Sequence, residues 1–450
     1  MVNCETGLFR FSPGWGLTYF SLVNALIYMD RSILGVTSIQ GIMHYLTSSD
    51  DMDLTAGEAG LLGSVFILGY MVASPIMAVS AQHLHPLYLM GTGLLVWAGT
   101  AMMAGLAVNY PMLIVARALT GVGEASFVCL VPPYIVDVAP STKKTVPLTQ
   151  LWLSVFYASS IVGGAVGFVY GEMVALALGS WRWPYIIESL LMLPFLSLCF
   201  VAYKDPIFCP KKLESTVEAT EKTSLWQQLS TLLNNRVFVL ISLGYGSYAF
   251  TVGALTTWGP YYIHTFYHQS AFLAALLMGG ITLLCGFSGT FIGAVFTDRR
   301  LRAAQHSQEQ GEITAGDLLR KRTATATAIM CICMGLAASA GLIGALVPLF
   351  PFYLCTLTIA ELCIFLYLPD SQMGPIGLAI MSSVPNELRG QSNGVSVFIM
   401  HLLGDLPSPA LVGQLITALG DYLAYAILAG WLFFGSLAWL LAWQCTVRGT

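Results

Sequence analysis

Hydrophobic positions form long unbroken runs along this chain, and short polar segments separate them. Most runs extend for about 20 residues or more, the length that an α-helix needs to cross the hydrocarbon core of a bilayer. Strands of a membrane barrel would instead alternate apolar and polar residues. Because lipid satisfies no backbone polar group, these runs predict transmembrane helices.

The runs predict twelve membrane-spanning helices. The tenth is long and contains Pro369 and Pro375, so we expect a break in it, since proline interrupts helical hydrogen bonding. The predicted spans cover residues 13–37, 57–82, 84–106, 110–136, 146–172, 183–203, 236–266, 270–297, 323–346, 350–384, 388–416 and 421–445.

The polar stretch 204–235 divides the spans into two sets of six. We therefore predict an N-terminal six-helix bundle over residues 1–203 and a C-terminal six-helix bundle over residues 236–450. Within the linker, five apolar residues fall on one helical face, which predicts an amphipathic helix on the membrane surface or packed on the protein's own cytoplasmic face. These residues are Leu225, Trp226, Leu229, Leu232 and Leu233.

Composition and the placement of charge support an all-α membrane protein. Only 9% of residues are charged, whereas soluble domains carry about 25%. Sixteen of the 19 Lys and Arg residues fall on one side of the predicted membrane; the exceptions are Arg31 and Arg117 within spans and Arg182 on the other side. Cytoplasmic loops are enriched in Lys and Arg, so both termini are predicted to be cytoplasmic.

The sequence contains no motif of a soluble enzyme. There is no G-x-x-x-x-G-K-S/T phosphate loop and no H-E-x-x-H zinc motif. The 10 cysteines are scattered, mostly within apolar runs, which indicates buried thiols rather than a metal site or disulfides. We therefore expect no enzymatic activity, no cofactor, no metal and no nucleic-acid partner.

Ionisable side chains within spans cost about 2.5–3.5 kcal/mol at the helix centre and are therefore functional candidates. Arg117 and Glu124 are two helical turns apart in span four and share a face, with Gly121 between them. They can line a cavity that binds an anionic head group and exchanges a proton. Alternatively, they form an internal ion pair that braces the helices. The other acids at span positions include Glu188, Glu361 and Asp370.

Two further charged pairs occur in spans one and eleven. Asp30 and Arg31 are adjacent, so we expect one of them to face a cavity and the other a neighbouring helix. His401 and Asp405 are four residues apart and stack on one helical face. This spacing predicts a gating or proton-transfer pair, and the alternative is a histidine that only packs and hydrogen-bonds.

Five motifs occur in a fixed order. Residues 28–31 read Y-M-D-R, residues 61–71 read L-L-G-S-V-F-I-L-G-Y-M, and residues 117–126 read R-A-L-T-G-V-G-E-A-S. Residues 181–183 read W-R-W, and residues 401–409 read H-L-L-G-D-L-P-S-P. In sequence and spacing they resemble the Spinster family of the major facilitator superfamily.

This resemblance implies two six-helix bundles with a substrate site near mid-membrane. It implies a proton-coupled secondary active transporter that moves a single-chain amphipathic lipid, a lysophospholipid or sphingoid phosphate, by alternating access, with the head group against Arg117. The implied substrate-binding residues are Asp30, Arg31, Arg117, Glu124, Ser126, Phe127, Tyr248 and Trp258. The implied proton-coupling residues are Asp30, Glu124, His401 and Asp405.

The sequence departs from the superfamily pattern between spans two and three. Residues 78–85 read A-V-S-A-Q-H-L-H, where the superfamily usually has G-x-x-x-D-R-x-x-R. The counterpart after span eight keeps Asp298 and Arg299, which are the predicted gating residues. The missing Asp-Arg pair calls the superfamily's usual closure network of the N-terminal half into question.

Two other functions remain open. The superfamily also contains transporters of sugars and other small polar solutes, although few Asn and Gln line these spans. A non-transporting scaffold or receptor is the second alternative. The expected partners are a lipid-like substrate, protons and the bilayer, with the chain a monomer. The expected location is a lysosomal, endosomal or other acidic-compartment membrane, or the plasma membrane.

Overall fold

The computed structural model describes most of the chain and contains only helices in that part. The described residues are 13–34, 39–40, 42, 54–81, 83–138, 148–202, 225–309, 314–367 and 375–448.

We number the α-helices in chain order. They are α1 (Pro13–Arg31), α2 (Ala56–Ser80), α3 (Pro86–Gly105), α4 (Tyr110–Val138), α5 (Leu148–Leu178), α6 (Arg182–Ala202), α7 (Leu225–Asn234), α8 (Arg236–Tyr267), α9 (Ala271–Glu309), α10 (Ala315–Leu346), α11 (Phe350–Tyr367), α12 (Pro375–Ser382), α13 (Arg389–Leu403), α14 (Ser408–Leu419) and α15 (Asp421–Arg448).

Eleven helical segments of the described chain are long and apolar enough to cross a membrane, and α13 and α14 together form one of them. The 19-residue helix α1 precedes them and corresponds to the first predicted span. The predicted class, an all-α membrane protein, is confirmed.

Several spans differ from their predicted extents; α5 continues to Leu178 and α10 begins at Ala315. Helix α1 ends at Arg31 rather than at residue 37, and α9 continues through the basic segment to Glu309. Hydropathy marks where a helix leaves the membrane, whereas polar residues can extend the helix beyond it. Span eleven is interrupted between Leu403 and Ser408, where Pro407 has no N–H to donate. The break expected in span ten falls in residues 368–374, outside the described residues.

The chain forms two compact units. Most of α1 to α6 belongs to the first unit, together with the end of α8, the start of α9 and most of α14. The first unit comprises residues 1–216, 256–280 and 409–417; the second comprises residues 217–255, 281–408 and 418–450.

Glycines on α5 set the position of α1 in the first unit. A Cβ atom on Gly163 would lie 2.2 Å from the carbonyl oxygen of Ala25, and one on Gly167 would lie 2.4 Å from that of Met29. Only residues without side chains let two helix backbones approach this closely. The last turn of α1, which carries Asp30 and Arg31, is therefore held against α5.

The second unit packs around Trp439, whose indole N–H donates to the carbonyl oxygen of Ile241 at 3.0 Å. The predicted amphipathic helix forms as α7. Its Leu232 is buried in the core of the second unit, whereas Trp226 is 78% exposed. One face of α7 therefore packs on the protein, while Trp226 points away from it.

Candidate functional site

A buried ion pair joins α1 to α4 in the first unit. The Arg117 Nη1 atom donates to both carboxylate oxygens of Asp30, each at 2.9 Å. Both side chains are almost completely excluded from solvent. The pair holds two opposite charges in a region where an isolated charge would be very costly.

A second ion pair joins the same two helices. The Arg31 Nε atom donates to Glu124 Oε1 at 2.8 Å, and Nη2 binds the same oxygen. The Glu124 side chain is fully buried, whereas that of Arg31 is 20% exposed. The Oε2 atom of Glu124 has no hydrogen-bond partner within the described part of the chain.

Asp30 and Arg31 both bind side chains of α4, while Asp30 is fully buried and Arg31 is partly exposed. Helix α1 ends at Arg31, and the next residue, Ser32, donates its N–H to Met29 in a tighter turn. At this helix end the short side chain of Asp30 and the long side chain of Arg31 bind partners that are two turns apart on α4. The predicted shared face of Arg117 and Glu124 is confirmed, since both point to α1.

Aromatic rings surround both guanidinium groups. The Phe66 ring centroid lies 5.4 Å from Arg31 Cζ and 5.0 Å from Arg117 Cζ. Tyr28 and Tyr70 lie 4.7 and 5.6 Å from Arg31 Cζ. These distances allow cation–π attraction. Sequence reasoning missed Phe66 and Tyr70 as site residues, although both belong to the motif at residues 61–71.

Glycines bring Phe66 to the cluster. A Cβ atom on Gly121 would lie 2.0 Å from the carbonyl oxygen of Phe66, and one on Gly69 would lie 1.9 Å from that of Ala118. Helices α2 and α4 therefore meet backbone to backbone. Helix α2 therefore fills the space beside Gly121.

A third acid, Glu188 on α6, lies beside the two ion pairs. It interacts electrostatically with Asp30 and Arg117, and its side chain is fully buried. Tyr185, one helical turn earlier, places its ring 5.6 Å from Arg117 Cζ. In the described structure, neither carboxylate oxygen of Glu188 has a hydrogen-bond partner. From sequence, Glu188 was only one of several acids at span positions.

Ser126 and Phe127, predicted to bind substrate, make packing contacts. Ser126 Oγ donates to the carbonyl oxygen of Gly123 at 2.8 Å, and a Cβ atom on Gly93 of α3 would collide with it. The Phe127 ring is fully buried between Phe20 and Phe156. Their roles in substrate binding stay predictions.

Trp258, another predicted wall residue, belongs to a tight contact within the first unit. Its indole N–H donates to the carbonyl oxygen of Pro409 at 2.9 Å. Two glycines allow the backbones to approach closely here. A Cβ atom on Gly60 would lie 2.1 Å from the carbonyl oxygen of Pro409, and one on Gly413 would lie 2.3 Å from the carbonyl oxygen of Ala56. The starts of α2 and α14 therefore meet without intervening side chains.

The second unit contains the remaining predicted residues. The His401 Nδ1 atom lies 2.9 and 3.0 Å from the two carboxylate oxygens of Asp405. The predicted contact between them is confirmed, with Asp405 in the turn between α13 and α14. Tyr248 is buried against the rings of Tyr245 and Tyr367.

The predicted gating residues lie on α9, which continues as a helix through them. Arg299 is exposed, and the side chain of Asp298 is not among those described. At the altered segment between α2 and α3, His85 Nδ1 accepts a hydrogen bond from the N–H of Leu87 at 3.2 Å and caps α3. The gating roles of Asp298 and Arg299 stay predictions.

Comparison with known proteins gives consistent relationships. The sequence profile of the Major Facilitator Superfamily matches residues 20–409. The chain is 29% identical to "Probable sphingolipid transporter spinster homolog 1" of Arabidopsis thaliana, over 95% of this chain and 88% of that protein. It is 27% identical to "Protein spinster" of Drosophila melanogaster, over 92% of this chain and 63% of that protein.

A solved structure shares the fold. It is the crystal structure of a bacterial homologue of the human lysosomal transporter Spinster, in an inward-facing and unoccupied conformation, with a TM-score of 0.75. The alignment covers 97% of this chain and 98% of that one, at 16% identity. At this identity the likeness establishes the architecture of the helices.

Proposed function

This chain belongs to the Major Facilitator Superfamily, with Spinster proteins among its relatives, and on that premise we propose that it moves a single-chain amphipathic lipid together with a proton. Membership makes it a multi-pass membrane transporter rather than an enzyme. The proposal concerns the substrate, the coupling ion and the residues that bind them.

The unequal exposure of the Arg31–Glu124 pair carries the proposal. Arg31 is 20% exposed while its partner is fully buried, so Arg31 is the accessible cation of the cluster. A guanidinium group binds phosphate through two parallel hydrogen bonds. Arg117 is buried and already paired, so we place the phosphate of the lipid head group on Arg31 rather than on Arg117.

Binding at Arg31 has a consequence for Glu124. A head-group phosphate competes with Glu124 for the same guanidinium, and a buried carboxylate that loses its cation is strongly disfavoured. Glu124 therefore takes up a proton when the lipid binds, on its unpartnered Oε2 or on the released Oε1. Proton and lipid bind together, which makes the transport a symport.

Two features support the choice of lipid and membrane. The Arabidopsis thaliana relative is named as a probable sphingolipid transporter, which favours a sphingoid phosphate or a related lysolipid. A proton-coupled symporter works best where a pH gradient exists, so we place the protein in an acidic-compartment membrane with cytoplasmic termini. His401 and Asp405 serve as additional proton-binding residues in the second unit.

The test compares wild type with Glu124→Gln in liposomes. With a pH gradient, wild type is expected to accumulate sphingosine-1-phosphate or lysophosphatidylcholine. Glu124→Gln is expected to exchange the lipid at equal pH without responding to the gradient, because its side chain cannot change charge. The control is Glu387→Gln, at an exposed glutamate in the short 3-10 helix Asn386–Leu388.

Three outcomes contradict the proposal in different ways. Unchanged gradient-driven uptake by Glu124→Gln removes Glu124 as the coupling residue. Uptake of a monosaccharide in place of either lipid indicates a transporter of small polar solutes. Binding of lipid without flux by the wild-type protein indicates a receptor or scaffold.

A further inference from the structure

Glu188 is the acid of the cluster that neither ion pair uses. Asp30 binds Arg117, and Glu124 binds Arg31. Arg117 and Arg31 supply the two guanidinium groups of the cluster. Glu188 lies in the same cluster as a third carboxyl group. Three acids therefore share two cations, and an ionised Glu188 would be a buried charge without compensation. Such a charge is avoided by protonation.

Arg117 and Glu188 have complementary unused hydrogen-bonding groups. The Nε atom of Arg117 has no acceptor in the described chain, and the two carboxylate oxygens of Glu188 have no donor there. The hydroxyl group of Tyr185, on the same face of α6 as Glu188, is likewise unpartnered within the described residues. Buried donors and acceptors are nearly always satisfied, so unused groups on adjacent side chains indicate an alternative arrangement.

We propose that Arg117 exchanges Asp30 for Glu188 as its partner, and that whichever acid is left unpaired carries the proton. In the arrangement observed, Asp30 is ionised and paired, and Glu188 is the neutral acid. In the alternative, Glu188 is ionised and paired, and Asp30 is neutral. One proton leaves Glu188 and one binds Asp30, so the net charge of the cluster is unchanged.

The exchange has a mechanical consequence within the first unit. Asp30 is on α1 and Glu188 is on α6, so the switch replaces a link between α4 and α1 with a link between α4 and α6. The position of a proton then decides which helix α4 is tied to. This inference rests on the proposed function only in giving the proton a role in transport.

The helices that carry or surround Glu188 bring further ionisable groups. Helix α1 contributes Asp30 and Arg31, and α4 contributes Arg117 and Glu124. From α5, Tyr170 donates its hydroxyl to the carbonyl oxygen of Pro184 at 2.9 Å, and Glu172 is buried on the same helix. On α6 itself, Arg182 binds the carbonyl oxygen of Ala107 at 2.6 Å, and Tyr185 lies one turn from Glu188.

Infrared difference spectroscopy of the full chain in lipid nanodiscs tests the protonation states without any substrate. Wild type is expected to show the carbonyl stretch of a protonated carboxylic acid that Glu188→Gln lacks and Glu387→Gln retains. Glu188→Gln is expected to fold, since it replaces a neutral acid with a neutral group of the same shape. Identical wild-type and Glu188→Gln spectra would overturn the proposal.

The Asp30→Asn background tests the exchange itself. Without the Asp30 charge, Arg117 is expected to pair with Glu188, which then ionises and loses its carboxylic acid signal. Persistence of that signal in Asp30→Asn would refute the exchange. In liposomes, Glu188→Gln is expected to lose gradient-driven lipid accumulation while keeping lipid exchange at equal pH, and an unchanged gradient response also counts against the exchange.

These measurements separate this inference from the proposed function. If wild type moves neither sphingosine-1-phosphate nor lysophosphatidylcholine, the proposed substrate is wrong. The infrared result still decides whether Glu188 holds a proton and whether Asp30 controls it.

Discussion

Asp30 and Arg31 are neighbours in the chain, carry opposite charges and both bind α4, Asp30 through Arg117 and Arg31 through Glu124. In one pair α1 supplies the acid, and in the other it supplies the base. A shift of α1 that brought Asp30 to Glu124, or Arg31 to Arg117, would therefore place like charges together. The pairs therefore specify how the end of α1 sits on α4. They also leave Arg31 as the cation that a ligand can reach.

The Arg117–Asp30 pair is expected to be essential for stability. Arg117→Ala leaves a buried carboxylate without its cation, a change that costs about 3–5 kcal/mol. We expect a large fall in the unfolding temperature in detergent. The Arg117→Met, Asp30→Leu double variant removes both charges and is expected to recover most of the lost stability without recovering transport. A double variant as unstable as Arg117→Ala would show that the charge imbalance is not the cause.

Phe66 is expected to orient both arginines through its ring face. Phe66→Leu keeps an apolar side chain but removes cation–π attraction, worth about 0.5–2 kcal/mol at partly buried sites. We expect weaker binding of sphingosine-1-phosphate, measured by equilibrium titration in nanodiscs. The matched control is Phe291→Leu on α9, where the ring is 73% exposed. Equal affinities in the two variants would argue against a role for Phe66.

The close approach of α2 and α14 is expected to depend on Gly60. Gly60→Ala places a methyl group 2.1 Å from the carbonyl oxygen of Pro409, so the backbones must separate. Overpacking of this kind costs about 1–3 kcal/mol. Gly280→Ala is the control, because a Cβ atom there meets no other atom within 4 Å. Thermal unfolding of both variants measures the difference, and equal stability would show that the contact can relax.

The His401–Asp405 pair is expected to matter more for transport than for stability. Its side chains are 11% and 17% exposed, and Asp405→Asn keeps a side-chain oxygen that can accept the hydrogen bond from the His401 ring, a bond worth about 0.5–1.5 kcal/mol. Asp405→Asn is therefore expected to change the unfolding temperature little. If the predicted proton role holds, the same variant responds less to a pH gradient in liposomes. A full gradient response would leave His401 and Asp405 as a packing pair.

The sequence alone determined where the spans lie along the chain but not their ends, and it also determined the two charged residues on one face of α4 and the contact between His401 and Asp405. These are local properties, because hydropathy along a run and spacing along a helix need no knowledge of other helices. The family motifs added a resemblance that the comparisons confirmed. The end of α9 was not predicted, since hydropathy reports where the chain leaves the membrane.

Only the tertiary structure decided which acid binds which arginine. Asp30 and Arg117 are separated by 87 residues in the chain, and nothing in their local sequences selects one partner over another. The choice follows from helix contacts, such as Gly121 against Phe66 and Gly167 against Met29. The same contacts place Phe66 between two arginines and leave Glu188 without a partner in the described chain. Spatial pairing depends on which backbones approach, and that is a property of the whole packed unit.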